Sequence, residues 1–316
     1  KLNTNENPYP PSPAVAAALR EADPAALRLY PDPVSSGLRR QIAQLHGCAP
    51  EQVFVGNGSD EVLALCVRTF VPEGGVVGYF EPSYSLYPVL AAIEDVPVKP
   101  VPLTEDFSWA MPIDYDASLF FLTNPNAPTS RLFPRAEVES FCRSAAGVVL
   151  IDEAYVDFAP ASCVDLALQL PNVLIARTLS KSYSLAGIRL GYAVGPAPLI
   201  EALHKIKDSY NISQLTQRLA AAGLADQTWM NQNVARIVAT RDQVARALRA
   251  RGWQVLDSAT NFLFARPPTK PASVVFEELR KRGIYVRYFP ASSTAAYLRI
   301  TIGTPSEMDA LLAALN

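Results

Sequence analysis

Short, uninterrupted apolar runs recur through the first two thirds of this chain and limit the folds that it can adopt. Helix-like segments such as SDEVLALCVRTF and RAEVESFCRSA separate most of these runs. Strands that are apolar along their whole length are buried on both faces, which indicates a largely parallel sheet covered by helices. We therefore predict an α/β fold, with an α/β/α large domain and these strands: VFVG (53–56), VVGYF (76–80), LFFLT (119–123), VVLID (148–152), VLIAR (173–177) and YAVG (192–195).

The pattern changes near residue 227. A long helix is expected over 233–251 and another over 273–282, and four apolar segments with a terminal helix complete this part: WQVLDS, NFLFAR, IYVRYF and YLRITIG. Mixed strands and helices of this kind are typical of a smaller α+β domain. We predict a large domain over 29–226 and a small domain made of 1–28 and 227–316.

Charge and composition exclude several classes of partner and site. The 316 residues include 28 basic and 30 acidic side chains, giving a net charge of −2 without a block of like charge. This balance indicates neither a nucleic-acid surface nor a membrane-binding patch, and no apolar run reaches the ~20 residues of a membrane span. Four widely spaced cysteines and two histidines form no metal-ligand pattern, so we expect no metal. Free thiols without a visible signal peptide lead us to expect a cytoplasmic protein with small-molecule substrates.

Polar groups follow the strand candidates, at the edge where open α/β sheets bind ligands. They are NGSDE, EPSYSLY, NPNAPTS, DEAY and TLSK, in chain order. Taken singly, each has an ordinary structural interpretation, such as a helix cap at Asp152 or packed rings at Tyr84 and Tyr155. VVLIDEA resembles the magnesium-binding strand of a P-loop ATPase, but such a site also needs a GxxxxGK[ST] loop, and the sequence contains no Gly-Lys dipeptide. GNGSDE does not complete GxGxxG, so both kinds of nucleotide site are disfavoured.

Taken together, these strand ends supply the groups that pyridoxal 5′-phosphate requires. Its aldehyde needs an amine, its pyridine nitrogen needs an anion, and its ring needs a stacking face. Its phosphate needs helix N–H groups, hydroxyls and a guanidinium. Lys181 and Arg189 lie eight residues apart and would hold the aldehyde end and the phosphate end respectively. We therefore predict this cofactor.

Over essentially its whole length the chain resembles the class I/II, fold-type-I pyridoxal-phosphate-dependent aminotransferases. SKSYSLAGIRLGY carries the Schiff-base lysine motif of that family, with NPNAPTS and DEAY at the expected points before it. The opening KLNTNENPYPPSP and the RLYPDP stretch resemble the histidinol-phosphate branch. The resemblance implies amino transfer between glutamate/2-oxoglutarate and histidinol phosphate/imidazole-acetol phosphate, in two steps, within histidine biosynthesis.

The resemblance also implies the roles of the cofactor-binding residues. Lys181 would form the Schiff base and then transfer the proton, while Asp152 would pair with the pyridinium nitrogen. Tyr155 would hydrogen-bond the phenolic oxygen, and Tyr84 would stack on the ring. The expected phosphate contacts are Gly58, Ser59, Ser180 and Arg189, with Asp60 and Thr178 as further candidates.

Substrate and partner contacts follow from the same resemblance. Arg299 would bind the carboxylate of glutamate, Arg287 would help to bind the phosphate of histidinol phosphate, and Asn5 is a further substrate-binding candidate. Tyr30 would reach the cofactor phosphate of the neighbouring subunit in a homodimer. Arg299 has independent support, because Leu298, Ile300 and Ile302 alternate with it along one strand. A charge within so apolar a strand needs a partner or a ligand.

Two features depart from the family pattern. Many relatives have Asn-Pro-Thr-Gly where residues 127–130 read Ala-Pro-Thr-Ser. Since Ala127 cannot help Tyr155 to hold the phenolic oxygen, we expect Asn126 or a water molecule to substitute. Family members usually have an N-terminal arm before KLNTNEN, and we expect the natural chain to begin before Lys1.

Three alternatives remain open from the sequence. An aromatic-amino-acid aminotransferase would share the scaffold and the catalytic residues. A threonine-phosphate-type decarboxylase is disfavoured by the NTNENP opening. A cofactor-sensing module of a transcription regulator would need a DNA-binding domain, and the sequence shows no basic helix-turn-helix candidate.

Overall fold

The computed structural model describes residues 1–112 and 115–315, and its larger sheet contains the six predicted strands and one further strand. These are β1 (Val53–Asn57), β2 (Val77–Glu81), β3 (Val98–Pro102), β4 (Leu119–Thr123), β5 (Val148–Asp152), β6 (Val173–Thr178) and β7 (Leu190–Val194). Their order is β1-β7-β6-β5-β4-β2-β3, and neighbouring strands are parallel except at β7, which is antiparallel to β1 and β6. The predicted α/β fold with a mostly parallel sheet is confirmed.

Among the described strands of the larger sheet, β3 is the one that the sequence analysis does not predict. It reads VKPVP, and Val101 is its one buried residue. Proline cannot donate a ladder hydrogen bond and is therefore confined to sheet edges, which is where β3 lies. An edge strand of this composition lacks the apolar run by which the others are recognised.

Helices cover both faces of the larger sheet. Phe121 and Leu150 belong to the core beneath α3, α4 and α7, whereas their neighbours Phe120 and Val149 belong to the core beneath α5 and α6. Burial on both faces explains why these strands are apolar throughout. The described helices are α1 (Pro13–Arg20), α2 (Ser36–His46), α3 (Ser59–Phe70), α4 (Leu86–Ile93), α5 (Arg135–Ser144), α6 (Val164–Gln169), α7 (Ala197–Ile206), α8 (Gln214–Ala225), α9 (Gln227–Ala250), α10 (Ala272–Lys281) and α11 (Pro305–Ala314).

A second, antiparallel sheet forms the C-terminal part of the chain. Its strands are β8 (Gln254–Val255), β9 (Phe262–Arg266), β10 (Arg287–Tyr288) and β11 (Leu298–Thr301). Their order is β10-β11-β9-β8, and α9, α10 and α11 share its apolar core. The first residues of the chain join this part, because Leu2 exchanges backbone hydrogen bonds with Tyr285 and Thr301.

The predicted domain division stays a prediction. Leu2 lies in the core of the smaller sheet, as the assignment of 1–28 to the small domain expects. Val15 of α1 lies instead in a core with Leu219 of α8, which belongs to the predicted large domain. The predicted domains also include residues that lie outside the described part of the chain: 113, 114 and 316.

Residues 1–112 and 115–315 contain neither a candidate membrane span nor a candidate metal cluster. No helix there combines the length and the apolar character needed to cross a bilayer. No group of three or more His, Cys, Asp or Glu side chains there is arranged to hold a metal ion.

Candidate active site

A cavity of about 370 Å³ lies between the two sheets, at the carboxyl ends of β4, β5 and β6. Parallel neighbouring strands bring these ends to one edge of the sheet, so residues far apart in sequence converge there. The smaller sheet closes the opposite side. Most of the site residues predicted from the sequence line this cavity: Asn5, Ser59, Asp60, Tyr84, Asp152, Tyr155, Thr178, Ser180, Lys181, Arg189, Arg287 and Arg299.

Asp152 is the last residue of β5 and is only 3 % exposed. Its Oδ2 accepts a hydrogen bond from Tyr87 Oη at 2.9 Å, and its Oδ1 accepts one from the Ala154 N–H at 3.1 Å. Burial raises the pKa of this carboxyl to about 6, and the negative charges of Asp60 and Glu153 also raise it. Within the described residues no basic side chain forms a salt bridge with Asp152. A buried carboxylate without a basic partner is stabilised by a cationic ligand, and a protonated pyridine nitrogen is such a ligand.

Lys181 follows β6 and lines the cavity with its side chain half-buried. Its Nζ lies 5.8 Å from the centroid of the Tyr155 ring. None of the carboxylates described in 1–112 and 115–315 forms a salt bridge with this amine. The amine is therefore available to a carbonyl group in the cavity.

A buried ionic cluster holds the strand ends that carry Asp152 and Lys181. Glu153 follows Asp152, is 2 % exposed, and lies 2.8 Å from the guanidinium of Arg177 on β6. Asp157 lies 3.8 Å from the same guanidinium and accepts a hydrogen bond from Ser182, the neighbour of Lys181. These contacts tie β5 to β6 at the point where both enter the cavity.

One end of the cavity is built to bind an anion. Helix α3 begins there after Gly58, and no side chain caps its first N–H groups. The guanidinium of Arg189 lies beside this helix end and is 3.2 Å from Asp60 Oδ2. Ser180 adds a hydroxyl that accepts a hydrogen bond from Thr178 Oγ1 at 2.9 Å. Free helix N–H groups, a guanidinium and hydroxyls are the groups that a phosphate requires.

The opposite side of the cavity carries two arginines from the smaller sheet. Arg287 on β10 and Arg299 on β11 are directly paired across antiparallel strands. Arg299 donates one hydrogen bond, to the Asn3 carbonyl at 3.0 Å, and its buried Nε has no partner within the described residues. Burial lowers the pKa of Arg299, and the charge of Arg287 lowers it further. Paired like charges are destabilising unless an anion lies between them, so this pair is suited to an anionic ligand.

Two tyrosines flank the space between the phosphate end and the arginines. Tyr84 lines the cavity and donates a hydrogen bond to Asp60 Oδ1 at 3.2 Å. Tyr155 is 8 % exposed and its hydroxyl accepts a hydrogen bond from Asn5 Nδ2 at 2.9 Å. A flat ring placed between these groups would meet an aromatic face and a hydroxyl.

Three predicted site residues do not line the cavity. Gly58 caps α3 with a φ of +79°, and a Cβ there would come within 2.5 Å of Arg189 Nη2. Asn126 is fully buried and donates its amide to the Pro82 carbonyl at 3.1 Å. Tyr30 is 79 % exposed and stacks on Tyr210 with ring centroids 4.3 Å apart. Gly58 would thus act through its backbone, and the exposed Tyr30 makes no contribution to the lining of this cavity.

Sequence reasoning missed two residues that support the site. Tyr87, on α4, donates to Asp152 and stacks on Phe121 with ring centroids 4.5 Å apart. Asn7 donates its amide to the Lys181 carbonyl at 2.9 Å. For Tyr87 the sequence offers one signal, its i,i+3 spacing from Tyr84. No comparable signal marks Asn7, because its contact depends on the path of the N-terminal segment.

The cavity fits pyridoxal phosphate at each of its functional groups. An uncapped helix end with Arg189 suits the phosphate, a buried carboxylate without a cation suits the pyridine nitrogen, and Lys181 suits the aldehyde. The family model described as aminotransferase class I and II matches residues 1–315.

Curated relatives and a solved structure resemble the chain over nearly its full length. It is 46 % identical over 320 residues to the histidinol-phosphate aminotransferase of Geobacter sulfurreducens, covering 100 % of this chain and 91 % of that protein. It is 44 % identical over 325 residues to histidinol-phosphate aminotransferase 1 of Burkholderia pseudomallei, with the same two coverages. The crystal structure of histidinol-phosphate aminotransferase from Sinorhizobium meliloti in complex with pyridoxal-5′-phosphate has a TM-score of 0.90 and 28 % identity, covering 99 % of this chain and 89 % of that one.

Proposed function

The chain belongs to the aminotransferase class I and II family, and from that premise we propose that it is a histidinol-phosphate transaminase. It moves an amino group between glutamate/2-oxoglutarate and histidinol phosphate/imidazole-acetol phosphate, in histidine biosynthesis. The pair of arginines on β10 and β11 is the observation that carries this substrate assignment. The names of relatives that are 44 % and 46 % identical support it.

Pyridoxal phosphate supplies an aldehyde that bonds the substrate nitrogen and a protonated ring that withdraws electron density from the substrate α-carbon. With the cofactor bound, Lys181 would hold its aldehyde between turnovers, and the amino group of glutamate would displace this amine. The freed amine of Lys181 would then act as the general base. It would move the proton from the substrate α-carbon to the cofactor, and it would move a proton in the opposite sense with the keto substrate.

Asp152 would keep the ring nitrogen protonated, because its buried carboxylate has no other cation in the described structure. Tyr155 would donate to the phenolic oxygen, and Tyr84 would cover one face of the ring. The first turn of α3, through Gly58, Ser59 and Asp60, would hold the phosphate together with the groups that come from β6 and the segment after it: Thr178, Ser180 and Arg189. Contacts at both ends of the cofactor would position it relative to Lys181.

Arg299 binds the carboxylate of glutamate, and Arg287 joins it in binding the phosphate of histidinol phosphate. The buried Nε of Arg299 is an unused donor that such an anion would satisfy. A guanidinium binds carboxylate or phosphate through two N–H groups at once, which lysine cannot do. A dianionic substrate therefore benefits more from two arginines than a monoanionic one.

An aromatic-amino-acid aminotransferase is the second candidate, because the same catalytic residues would serve it. The arginine pair favours the phosphorylated substrate, since the side chain of phenylalanine brings no charge to a second guanidinium. A decarboxylase would instead have to place the substrate carboxylate perpendicular to the ring. That arrangement has no specific support in the described residues.

Steady-state assays test the proposal directly. Protein supplied with pyridoxal phosphate should convert histidinol phosphate and 2-oxoglutarate to imidazole-acetol phosphate and glutamate, and should do so in reverse. Phenylalanine added as a competing donor should inhibit only weakly. If phenylalanine is instead the preferred donor, the aromatic assignment replaces this one.

We further infer a cytoplasmic homodimer with active sites at the subunit interface. Exposed apolar side chains are concentrated from the last turn of α1 to the start of α2, at Leu19, Leu27, Leu29, Tyr30 and Val34. Surface patches of this kind mark interaction sites. In this arrangement Tyr30 of each subunit reaches the cofactor phosphate bound by the other.

Tyr30→Phe is expected to weaken cofactor binding modestly while the dimer persists. The hydroxyl would lose one hydrogen bond to a charged phosphate, which contributes at most ~1.5–3 kcal/mol. Equilibrium dialysis of the cofactor, with sedimentation to measure mass, checks both points. Tyr285→Phe is the matched control, since Tyr285 is 49 % exposed and does not line the cavity. A fully active monomer at working concentration would rule out the shared site.

A further inference from the structure

Asn5 is held unusually firmly for a residue near the start of a chain. It is 1 % exposed, and its φ of +55° is a conformation that asparagine tolerates better than most residues. Its N–H donates to Thr301 Oγ1 at 3.0 Å, and its carbonyl accepts from Asn261 Nδ2 at 3.0 Å. Its side chain contacts Thr301 and Tyr155. Strained backbone that is fixed from several sides is characteristic of functional positions.

The hydrogen bonds of Thr301 determine which way the Asn5 amide points. Thr301 Oγ1 already accepts the Asn5 backbone N–H, and its single hydrogen is donated to Asn5 Oδ1 at 3.0 Å. The amide nitrogen of Asn5 is thereby directed to Tyr155 Oη, at 2.9 Å. A phenol has one hydrogen, and here its oxygen accepts from Asn5. The hydrogen of Tyr155 is therefore left to be donated elsewhere.

The hydroxyl hydrogen of Tyr155 can be donated to a ligand in the cavity. Tyr155 lines the cavity with Asn5 and Lys181. The nearby lining residue Ala127 has no polar side-chain atom, and the neighbouring Asn126 donates its amide to Pro82 instead. Tyr155 can therefore donate a hydrogen bond to a ligand on this side of the cavity. Whether its hydroxyl points to the ligand depends on Asn5.

We propose that Asn5 is a positioning residue, which fixes the hydrogen-bond direction of Tyr155 so that its hydroxyl donates to the phenolic oxygen of the bound cofactor. This inference rests on the proposed function, because it requires pyridoxal phosphate in the cavity. It assigns to Asn5 an action through Tyr155 rather than through the substrate. A donor at the phenolic oxygen stabilises its anionic form and so lowers the proton affinity of the lysine-bound cofactor.

Asn5→Asp tests the proposal by reversing one hydrogen bond. A carboxylate accepts but cannot donate, so Tyr155 must turn its hydrogen towards residue 5 and away from the cofactor. The readout is the pH midpoint of the visible absorption band of the cofactor-loaded protein, which requires no turnover. The midpoint is expected to rise by about one pH unit, a tenfold change in proton affinity.

Asn3→Asp is the matched control for the added charge. Asn3 lies on the same segment and lines the same cavity, but among the described contacts it makes none with Tyr155. The rise with Asn5→Asp should exceed the rise with Asn3→Asp, and it should fall to the control value when Tyr155→Phe is also present. Equal rises in the two aspartate variants would overturn the proposal.

Asn5→Gly serves if Asn5→Asp does not fold, because glycine accepts the positive φ and adds no charge. This variant removes the amide that sets the hydrogen-bond direction of Tyr155. The pH midpoint is therefore expected to rise by less than it does in Asn5→Asp. An unchanged midpoint in whichever variants fold overturns the inference alone, provided that the wild-type protein shows a normal band. A wild-type protein without any such band would overturn the proposed function and this inference with it.

Discussion

Asp152→Asn is expected to stabilise the cofactor-free protein while nearly abolishing its turnover. The buried carboxylate has a pKa of about 6, compared with 3.8 for an ordinary aspartate. A difference of about 2 pKa units corresponds to ~3 kcal/mol by which the charged form destabilises the folded state at neutral pH. Asparagine keeps the shape and removes this charge. With cofactor bound, the ring nitrogen loses its anion, and loss of a buried ion pair lowers the rate by about 10²–10⁴-fold.

The pH dependence of stability follows from the sign of the same shift. Between pH 3.8 and about 6 the folded state binds more protons at Asp152 than the unfolded state does. The contribution of Asp152 to the stability of the cofactor-free protein therefore falls as pH rises through that window. Above the window this contribution is constant. Denaturant unfolding at several pH values should show this fall in the wild-type protein and its loss in Asp152→Asn.

Glu153→Gln is the matched control for that variant. Glu153 is also a buried carboxylate, but it is ion-paired with Arg177 and accepts hydrogen bonds from Ser162 and the Cys163 N–H. Removing its charge leaves a buried guanidinium poorly compensated, so this variant should be destabilised. Near-normal turnover in Asp152→Asn, or equal destabilisation of both variants, would show that Asp152 is a structural cap.

Arg299→Ala and Arg287→Ala are expected to separate the two substrates. Arg299 is largely buried, and in the proposed function it binds both anions, so its loss should lower kcat/KM in both half-reactions by the 2–5 kcal/mol of a truncated buried charge pair, about 30- to 5,000-fold. Arg287 is exposed, and in the proposed function it serves mainly the phosphate. Its loss should raise KM for histidinol phosphate by about 10- to 100-fold, with little change for glutamate.

Arg280→Ala is the control for these two variants, since Arg280 is an exposed arginine of α10 that pairs with Glu277. It should leave both half-reactions unaltered. Free histidinol, which lacks the phosphate, should be a poor substrate of the wild-type protein. If Arg287→Ala affects both substrates equally, the aromatic-aminotransferase alternative gains support.

Strand period and strand order predict much of the cavity lining from the sequence. Asp152 and Lys181 follow β5 and β6, and parallel neighbouring strands bring their carboxyl ends to one edge. The role of Arg299 comes from the family resemblance, and its alternation with apolar neighbours independently indicates the face on which it lies. Strand period and order are expressed locally in the sequence, which is why these positions are predictable.

Other features depended on contacts between distant segments. Tyr87 reaches Asp152 because α4 packs its ring against Phe121. The i,i+3 spacing from Tyr84 indicates a shared helix face, but it does not identify Asp152 as the partner. The expected substitute for the missing asparagine, Asn126, has its amide bound to Pro82. Asn5 approaches Tyr155 only because β11 holds the N-terminal segment in place. Hydrogen-bond partners between distant segments require the fold to be known.

The attachment site of the cofactor tests the central claim most directly. Pyridoxal phosphate should colour the purified protein yellow, and borohydride should fix the cofactor to one side chain. Peptide mapping of the reduced protein is predicted to find the label on Lys181, and added glutamate should shift the absorbance before reduction. A label on another residue, or a colourless protein that ignores added cofactor, would contradict the account.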